Sequence, residues 1–506
     1  MESINIPLAT SAPSEQRDMT VHVVSVLLQE MDQAGIRYCH WKSNFHIEYA
    51  LAGEEDLDLL ILATDFSEFQ RIVLQLGFKG AVSVTSRNQP GVFHFLGNDS
   101  ETGKLINLHA FTRILTGDHL LKSWALPAER LLLGETRTQR GIRLPSKTAE
   151  LVLFVFRYMI RHTSILDLYL GRKSRGASLE EYEWLAAGTS VEGTLDKVAE
   201  HFPEVLPADF RSALDLIGAP SSLLSRIRLG FRFRRALGKY NRYGKLSGAV
   251  RMVLAVSRMA FNRLSKHKHM TFPTGGALIA LVGPQGTGKS TLAQLLHTWL
   301  AAELAVRTIH AGKPPATTLT FLPTRLIPLA RRMVPRQTTR DVDRRVDQDR
   351  DYSFPYLYLI RKIMVAIDRR KLLRRAFRDA RNGQIVISDR YPSDNPGAID
   401  GASFRPEMIE AQTSALKRAL MRWDNRIYRS VGPPDLVLQL KVSVERAVER
   451  NLQRDKKVPQ DTAYVRQRHA MRIQARFDHC EVVTISTEAD LQDTLIEAKN
   501  AIWKIL

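Results

Sequence analysis

Between the uncharged run ALIALVG and the amphipathic run STLAQLLHTWLAAEL stands Gly283-Pro-Gln-Gly-Thr-Gly288-Lys289-Ser290-Thr291. This G-x-x-x-x-G-K-[ST] pattern constrains the fold more than any other feature, because it works only where a strand delivers a tight loop to the start of a helix. The glycines let the backbone wrap closely enough for consecutive N–H groups to face phosphate oxygens, and the helix adds its positive N-terminal end. The expected cradle comprises Gly283, Pro284, Gln285, Gly286, Thr287, Gly288, Lys289, Ser290 and Thr291. Lys289 would reach the β- and γ-phosphates and Ser290 would ligate Mg²⁺. The expected cofactors are therefore ATP and Mg²⁺, and the loop by itself leaves the reaction open.

The surroundings of the loop suit it. From Ala277 onward, β-rich runs alternate with amphipathic helices: VRTIHAG, a helix over about 354–381, QIVISD, DLVLQLKV, SVERAVERNLQ, VVTIST and a last helix ADLQDTLIEAKNAIWKIL. That alternation predicts a parallel sheet covered by helices on both faces. A chain of 506 residues is long enough for two to four domains at about 100 to 200 residues each. Upstream, 20–33 predicts an amphipathic helix, DLDLLIL at 56–62 a buried strand, 67–76 a second helix and 146–170 a third. The expected organisation is an α+β domain over 18–145, a helical extension over 146–222, a basic connector over 223–274 and an α/β domain over 275–506.

Two cysteines, Cys39 and Cys480, form neither a disulfide framework nor a metal motif. No signal sequence or apolar run long enough to span a bilayer is visible, so the expectation is a cytoplasmic protein, at most peripheral to a membrane.

The run Ile385-Val-Ile-Ser-Asp389-Arg390-Tyr391 places an acid and a base at the end of an apolar strand, where parallel sheets bind ligands. With the loop, it resembles the thymidylate kinase family of P-loop nucleoside monophosphate kinases, over about residues 277–506. The resemblance implies a P-loop NTPase fold, Asp389 as the metal-linked or acceptor-orienting carboxylate, and Arg390 as the clamp on the acceptor phosphate. It extends to Ala366-Ile-Asp368-Arg369, which implies that Arg369 binds the acceptor. The run from Pro434 to Val442 followed by Ser443 to Arg450 looks like the family's strand and helix leading into a lid, which implies that Arg450 and Arg454, four residues apart, neutralise the migrating charge. Lys456, Lys457, Arg466 and Arg468 follow.

Two departures matter. Gly312-Lys313-Pro314-Pro315 stands where the family carries Arg-Glu-Pro, leaving Lys313 as the acceptor-side cation. Ala398-Ile399-Asp400-Gly401 replaces Ala-Tyr-Gln-Gly, removing an aromatic surface and an amide. Kinase chemistry survives these changes better than thymidylate specificity does. The mixed charges from Arg340 to Asp351 read as internal pairing without a catalytic role.

Near the N-terminus, Trp41-Lys42-Ser43-Asn44 followed by Asp56-Leu57-Asp58 resembles the nucleotidyltransferase superfamily that includes polymerase β. The resemblance implies a nucleotidyltransferase-like α+β fold in which Asp56 and Asp58 bind Mg²⁺. Lys42 stands where that family has glycine, and the segment expected to hold a third carboxylate offers Asn107 and His109.

The net charge is +20, and it is uneven: between Ile217 and Ala302 lie fourteen Lys and Arg and no Asp or Glu. The connector fits nucleic acid, an anionic membrane or a self-repelling linker. The linker is preferred, since charge runs are more often solvated than specific. The expected activity is Mg²⁺-dependent transfer of the γ-phosphoryl of ATP to a phosphate-bearing acceptor, a nucleotide or another phosphorylated small molecule. Two alternatives stay open: an ATP-binding or ATPase switch acting on the N-terminal module or a partner, and nucleotidyl transfer by that module. The oligomeric state is left open.

Overall fold

The computed structural model describes residues 20–83, 89–117, 121–161, 175–219, 222–257 except 245, 246, 249 and 255, 270–321 except 285 and 319, 352–397, 400–453, 466 and 476–506. The chain is mixed α/β and divides into two compact units, residues 1–78 with 89–259 and residues 79–88 with 260–506.

In the first unit, helix α1 (His22–Gln33) and strands β1 (Tyr38–His40) and β2 (Leu57–Ile61) precede helix α2 (Phe66–Gln75). Strands β3 (Val92–Asn98) and β4 (Leu105–Phe111) follow. β2 pairs antiparallel with β1 and parallel with β4, and β4 pairs antiparallel with β3. Strand alternation sends Leu57, Leu59 and Ile61 into a core with Leu27 and Met31 of α1 and Phe69 and Ile72 of α2. Asp58 therefore shares the other face with Leu60, which packs with Cys39, Trp41 and Phe111.

Helix α3 (Lys147–Arg161) is buried along most of its length and packs with α4 (Arg175–Ala186), α5 (Val191–His201), α6 (Pro207–Gly218) and α7 (Leu223–Ala236). The first part of the basic stretch thus forms a helix that buries Leu229 and Phe233 in this unit, joined by Leu237 just beyond it. Arg232 pairs with Asp209 and Lys239 with Glu204.

The second unit is built on five parallel strands: β5 (Leu278–Val282), β6 (Val306–Ile309), β7 (Ile385–Ser388), β8 (Leu436–Lys441) and β9 (Glu481–Ser486). Their order is β6-β7-β5-β8-β9. Every residue of β5 is buried. Leu278, Ala280 and Val282 pack with Leu373, Ala376 and Ala380 of helix α9 (Tyr356–Arg381), and the intervening Ile279 and Leu281 are buried on the other face. Helices α8 (Lys289–Ala301) and α12 (Leu491–Ile505) pack on each other and on the strands, while α10 (Ala415–Arg429) packs on α9. A short ribbon pairs Lys79–Ser83 antiparallel with Met270–Thr271. The strand order makes β5 a switch point, since the chain runs out to β6 and β7 on one side and to β8 and β9 on the other. Such a reversal opens a crevice at the carboxyl ends of the central strands.

Gly276 enters β5 so tightly that a Cβ would lie 1.9 Å from the Gln384 carbonyl oxygen. Gly276→Ala should destabilise the second unit by about 3 kcal/mol, because a backbone atom cannot step aside. A lower midpoint in urea unfolding, followed by Trp fluorescence, checks this; a midpoint equal to that of the native chain would refute it. Among the described residues no helix is long and apolar enough to cross a membrane.

Candidate functional site

The loop after β5 has the backbone its sequence calls for. Gly283, Gly286 and Gly288 take φ of 149°, 90° and 83°. A Cβ on Gly283 would meet the Leu440 carbonyl oxygen at 2.6 Å, and one on Gly286 would press on Ala447 at 3.0 Å. Only glycine fits both the conformation and the approach. Gly288 is the left-handed N-cap of α8, which starts at Lys289. Thr287 is fully buried and donates to the Pro284 carbonyl at 2.9 Å. The Lys289 ammonium arches back over the loop to the carbonyls of Gly283 at 2.9 Å and Pro284 at 2.6 Å. Ser290 and Thr291 are exposed on the first turn of α8, and Gln285 lies outside the described residues.

Helix α11 (Val444–Leu452) abuts the loop through Ala447. One turn further on, Arg450 donates to the Thr487 carbonyl at 2.8 Å and to its hydroxyl at 3.3 Å. The guanidinium is thereby anchored just beyond β9. Arg454, Lys456, Lys457, Arg468 and the charged residues from Arg340 to Asp351 lie outside the described residues, and Arg466 is exposed.

Asp389 follows β7, the strand beside β5. Ala280 of β5 is in register with Ser388, so Asp389 is level with Leu281, two residues short of the loop. Asp389 Oδ2 is paired with Nδ1 of His310, which follows β6, while Asp389 Oδ1 is buried with no hydrogen-bond partner. A buried carboxylate oxygen left open at the end of the strand beside β5 suits a divalent cation or a hydroxyl donor. This carboxylate and the exposed Ser290 hydroxyl have the chemistry to hold Mg²⁺.

Arg390 and Arg369 meet at one carboxylate. Arg390 Nη1 donates to Asp400 Oδ2 at 3.2 Å and Arg369 Nη2 to Asp400 Oδ1 at 3.4 Å. The Arg369 side chain is 6% exposed. Three further donors of the same guanidinium go to the Ala311 carbonyl at 2.7 Å, the Asp400 carbonyl at 2.6 Å and the Tyr428 hydroxyl at 2.8 Å. Burial raises the Tyr428 phenol to about 12, against the opposing pull of Arg369, so it stays a neutral hydroxyl here. Lys313, beyond β6, is exposed.

Sequence reasoning overlooked His310, although it stands at a strand end just as Asp389 does. It noted Asp400 only as a replaced amide.

The first unit brings Asp58, His109 and His94 into one rank across β2, β4 and β3. Atoms of Asp56, Asp58 and His109 that could ligate a metal lie within 4.8 Å of one another. The donors around them do not fit a pair of Mg²⁺ ions. The Lys42 ammonium sits 2.8 Å from Asp58 Oδ2, His109 Nδ1 lies 3.2 Å from Asp58 Oδ1, and the Asn107 amide donates to Asp56 Oδ1 at 2.8 Å. Burial opposes ionisation of Asp58, but Lys42 and the His109 hydrogen bond outweigh it and hold its carboxyl well below the usual range. An ammonium bound to one carboxylate and an amide to the other satisfy these oxygens with nitrogen donors, and among the described residues no third carboxylate joins the group.

Beside this rank, His40 pairs with Asn44, whose amide donates to Glu150 Oε1 at 2.7 Å. Burial pushes the Glu150 carboxyl up to about 7 from an ordinary 4.5, against Arg137 and the Asn44 hydrogen bond. The folded chain therefore keeps a proton that the unfolded chain has lost between those values. The stabilisation contributed by Glu150 falls as pH rises from about 4.5 to 7 and levels off above. In Glu150→Gln this decline should shrink, which urea midpoints at pH 5 and pH 7 would show. An unaltered slope would contradict the assignment.

No protein-family model matches the chain, and no curated protein matches it in sequence.

Proposed function

We propose that the second unit is a P-loop NTPase fold acting as an ATP- and Mg²⁺-dependent phosphotransferase, of the kind that thymidylate and other nucleoside monophosphate kinases exemplify. One observation carries the reading. A glycine-built loop with Lys289 leaves the central strand at the switch point, and the neighbouring strand presents Asp389 with a buried oxygen to spare.

In this reading the loop N–H groups and Lys289 hold the triphosphate, and Ser290 and Asp389 hold Mg²⁺, which when bound neutralises charge on the phosphates. His310 orients Asp389 through its ring N–H. Arg450, anchored on Thr487 beside the loop, and Arg454 supply positive charge to the group in transit. Arg369, Arg390 and Lys313 lie on the acceptor side.

A second reading, an ATP-hydrolysing switch without a small acceptor, draws on the engagement of Arg369 and Arg390 by Asp400. Incubating the full chain with [γ-³²P]ATP, Mg²⁺ and a panel of alcohols, sugars, nucleosides and their phosphates separates the two. Label in an organic phosphate ester supports the phosphotransferase. Release of inorganic phosphate at a rate indifferent to every acceptor supports the switch. The first unit is assigned no nucleotidyl transfer, because nitrogen donors occupy its acidic pair.

A further inference from the structure

We infer that Asp400 is a specificity-determining residue that rejects a phosphate dianion on the acceptor side, so that the acceptor of this phosphotransferase presents an uncharged hydroxyl there. The inference rests on the phosphotransferase reading and narrows its substrate class, departing from the phosphate-bearing acceptor expected from the sequence.

A phosphate is recognised by guanidinium groups whose N–H donors converge on it from two sides. Arg369 and Arg390 converge in that way at the carboxyl ends of β6 and β7, and the anion between them is the chain's own. Asp400 offers Oδ1 to Arg369 at 3.4 Å and Oδ2 to Arg390 at 3.2 Å, and its side chain is 14% exposed. Four of the five N–H donors of Arg369 are engaged within the protein, one at Asp400 Oδ1 and the others at the Ala311 and Asp400 carbonyls and the Tyr428 hydroxyl.

A phosphate dianion entering here would have to compete with a fixed carboxylate that already engages both guanidinium groups and cancels one of their two positive charges. That competition is a means of excluding a wrong substrate. A neutral hydroxyl compound meets no such penalty and can donate to the same carboxylate. Held in place, Asp400 also spends its backbone, because it adopts φ of 66° in the left-handed region. An aspartate kept at a conformation that glycine or asparagine would adopt more easily is a position where the side chain is worth its strain.

The transfer balances without a further reagent. The acceptor oxygen forms a bond to the γ-phosphorus as the bond to the β-γ bridging oxygen breaks. A nucleoside diphosphate leaves, and the hydroxyl proton is released to solvent.

The test is binding, which does not depend on turnover. Thymidine monophosphate and inorganic phosphate are titrated calorimetrically into the full chain, the Asp400→Asn variant and the Asp400→Gly variant. Asparagine and glycine both accept the left-handed backbone, so the loop should keep its shape. The native chain should show no saturation, and both variants should gain at least tenfold in affinity for either probe. Saturable binding by the native chain without a gain in the variants would overturn the inference. So would no binding by any of the three proteins, because the arginine pair would then be unfit for phosphate even when released. Loss of ATP binding in a separate titration would instead count against the phosphotransferase reading, whatever the acceptor probes do.

Discussion

Replacing Lys289 with alanine should lower the rate of phosphoryl transfer by roughly a thousandfold, the order seen when a charged group aimed at a developing negative charge is removed. In the structure the ammonium closes the loop on itself, donating to the carbonyls of Gly283 and Pro284. When triphosphate enters, these donors can turn from carbonyl to phosphate oxygens within the same loop, which is an inexpensive exchange in a site already built around the lysine. Alanine leaves the phosphate charge without its cation and the loop without its clasp. Arginine should not rescue the rate, because its planar fork is larger than an ammonium and the loop is packed against Leu440 and Ala447. The fold should survive, since α8 is capped by Gly288 and holds the core through Leu292 and Leu296. A steady-state rate within tenfold of the native chain, at saturating ATP, would be incompatible with the assigned role.

Asp389→Asn should cost roughly a hundredfold to a thousandfold in turnover and raise the Mg²⁺ concentration needed for half-maximal activity. The substitution keeps the shape and removes the charge. It leaves the ring of His310 beside an amide instead of a carboxylate, and it turns an open buried oxygen into a neutral group that binds a divalent ion weakly. The two effects have separate readouts. If Asp389 only pinned His310, turnover would fall while the Mg²⁺ requirement stayed constant. If Asp389 were a strand-end ion pair without function, neither quantity would move.

What the sequence makes legible here is what is local. The loop is contiguous, and its glycines, lysine and serine announce the strand before it and the helix after it. The periodicity over 354–381 foretells α9 (Tyr356–Arg381), DLDLLIL foretells β2, and the helix expected over 67–76 is α2 (Phe66–Gln75). Asp389 and Arg390 are legible because they end an apolar strand.

What sequence reasoning misses is set by distance along the chain. His310 meets Asp389 only because β6 and β7 are neighbours, and nothing in VRTIHAG says which strand will lie beside it. Asp400 faces both arginines only once α9 and the segment after β7 have packed, so a change from amide to carboxylate reads in the sequence as a lost donor and in the fold as an added anion. The basic stretch shows the same limit. Its excess of cations is visible at once, whereas its partners Asp209 and Glu204 sit on earlier segments of the same unit and neutralise part of it.

Calorimetric titration of ATP into the full chain, with and without Mg²⁺, tests the proposed triphosphate site most directly. Saturable binding at a single site is expected, strengthened by Mg²⁺ and lost in Lys289→Ala. Absence of saturable binding, or binding of undiminished affinity in Lys289→Ala, would contradict it.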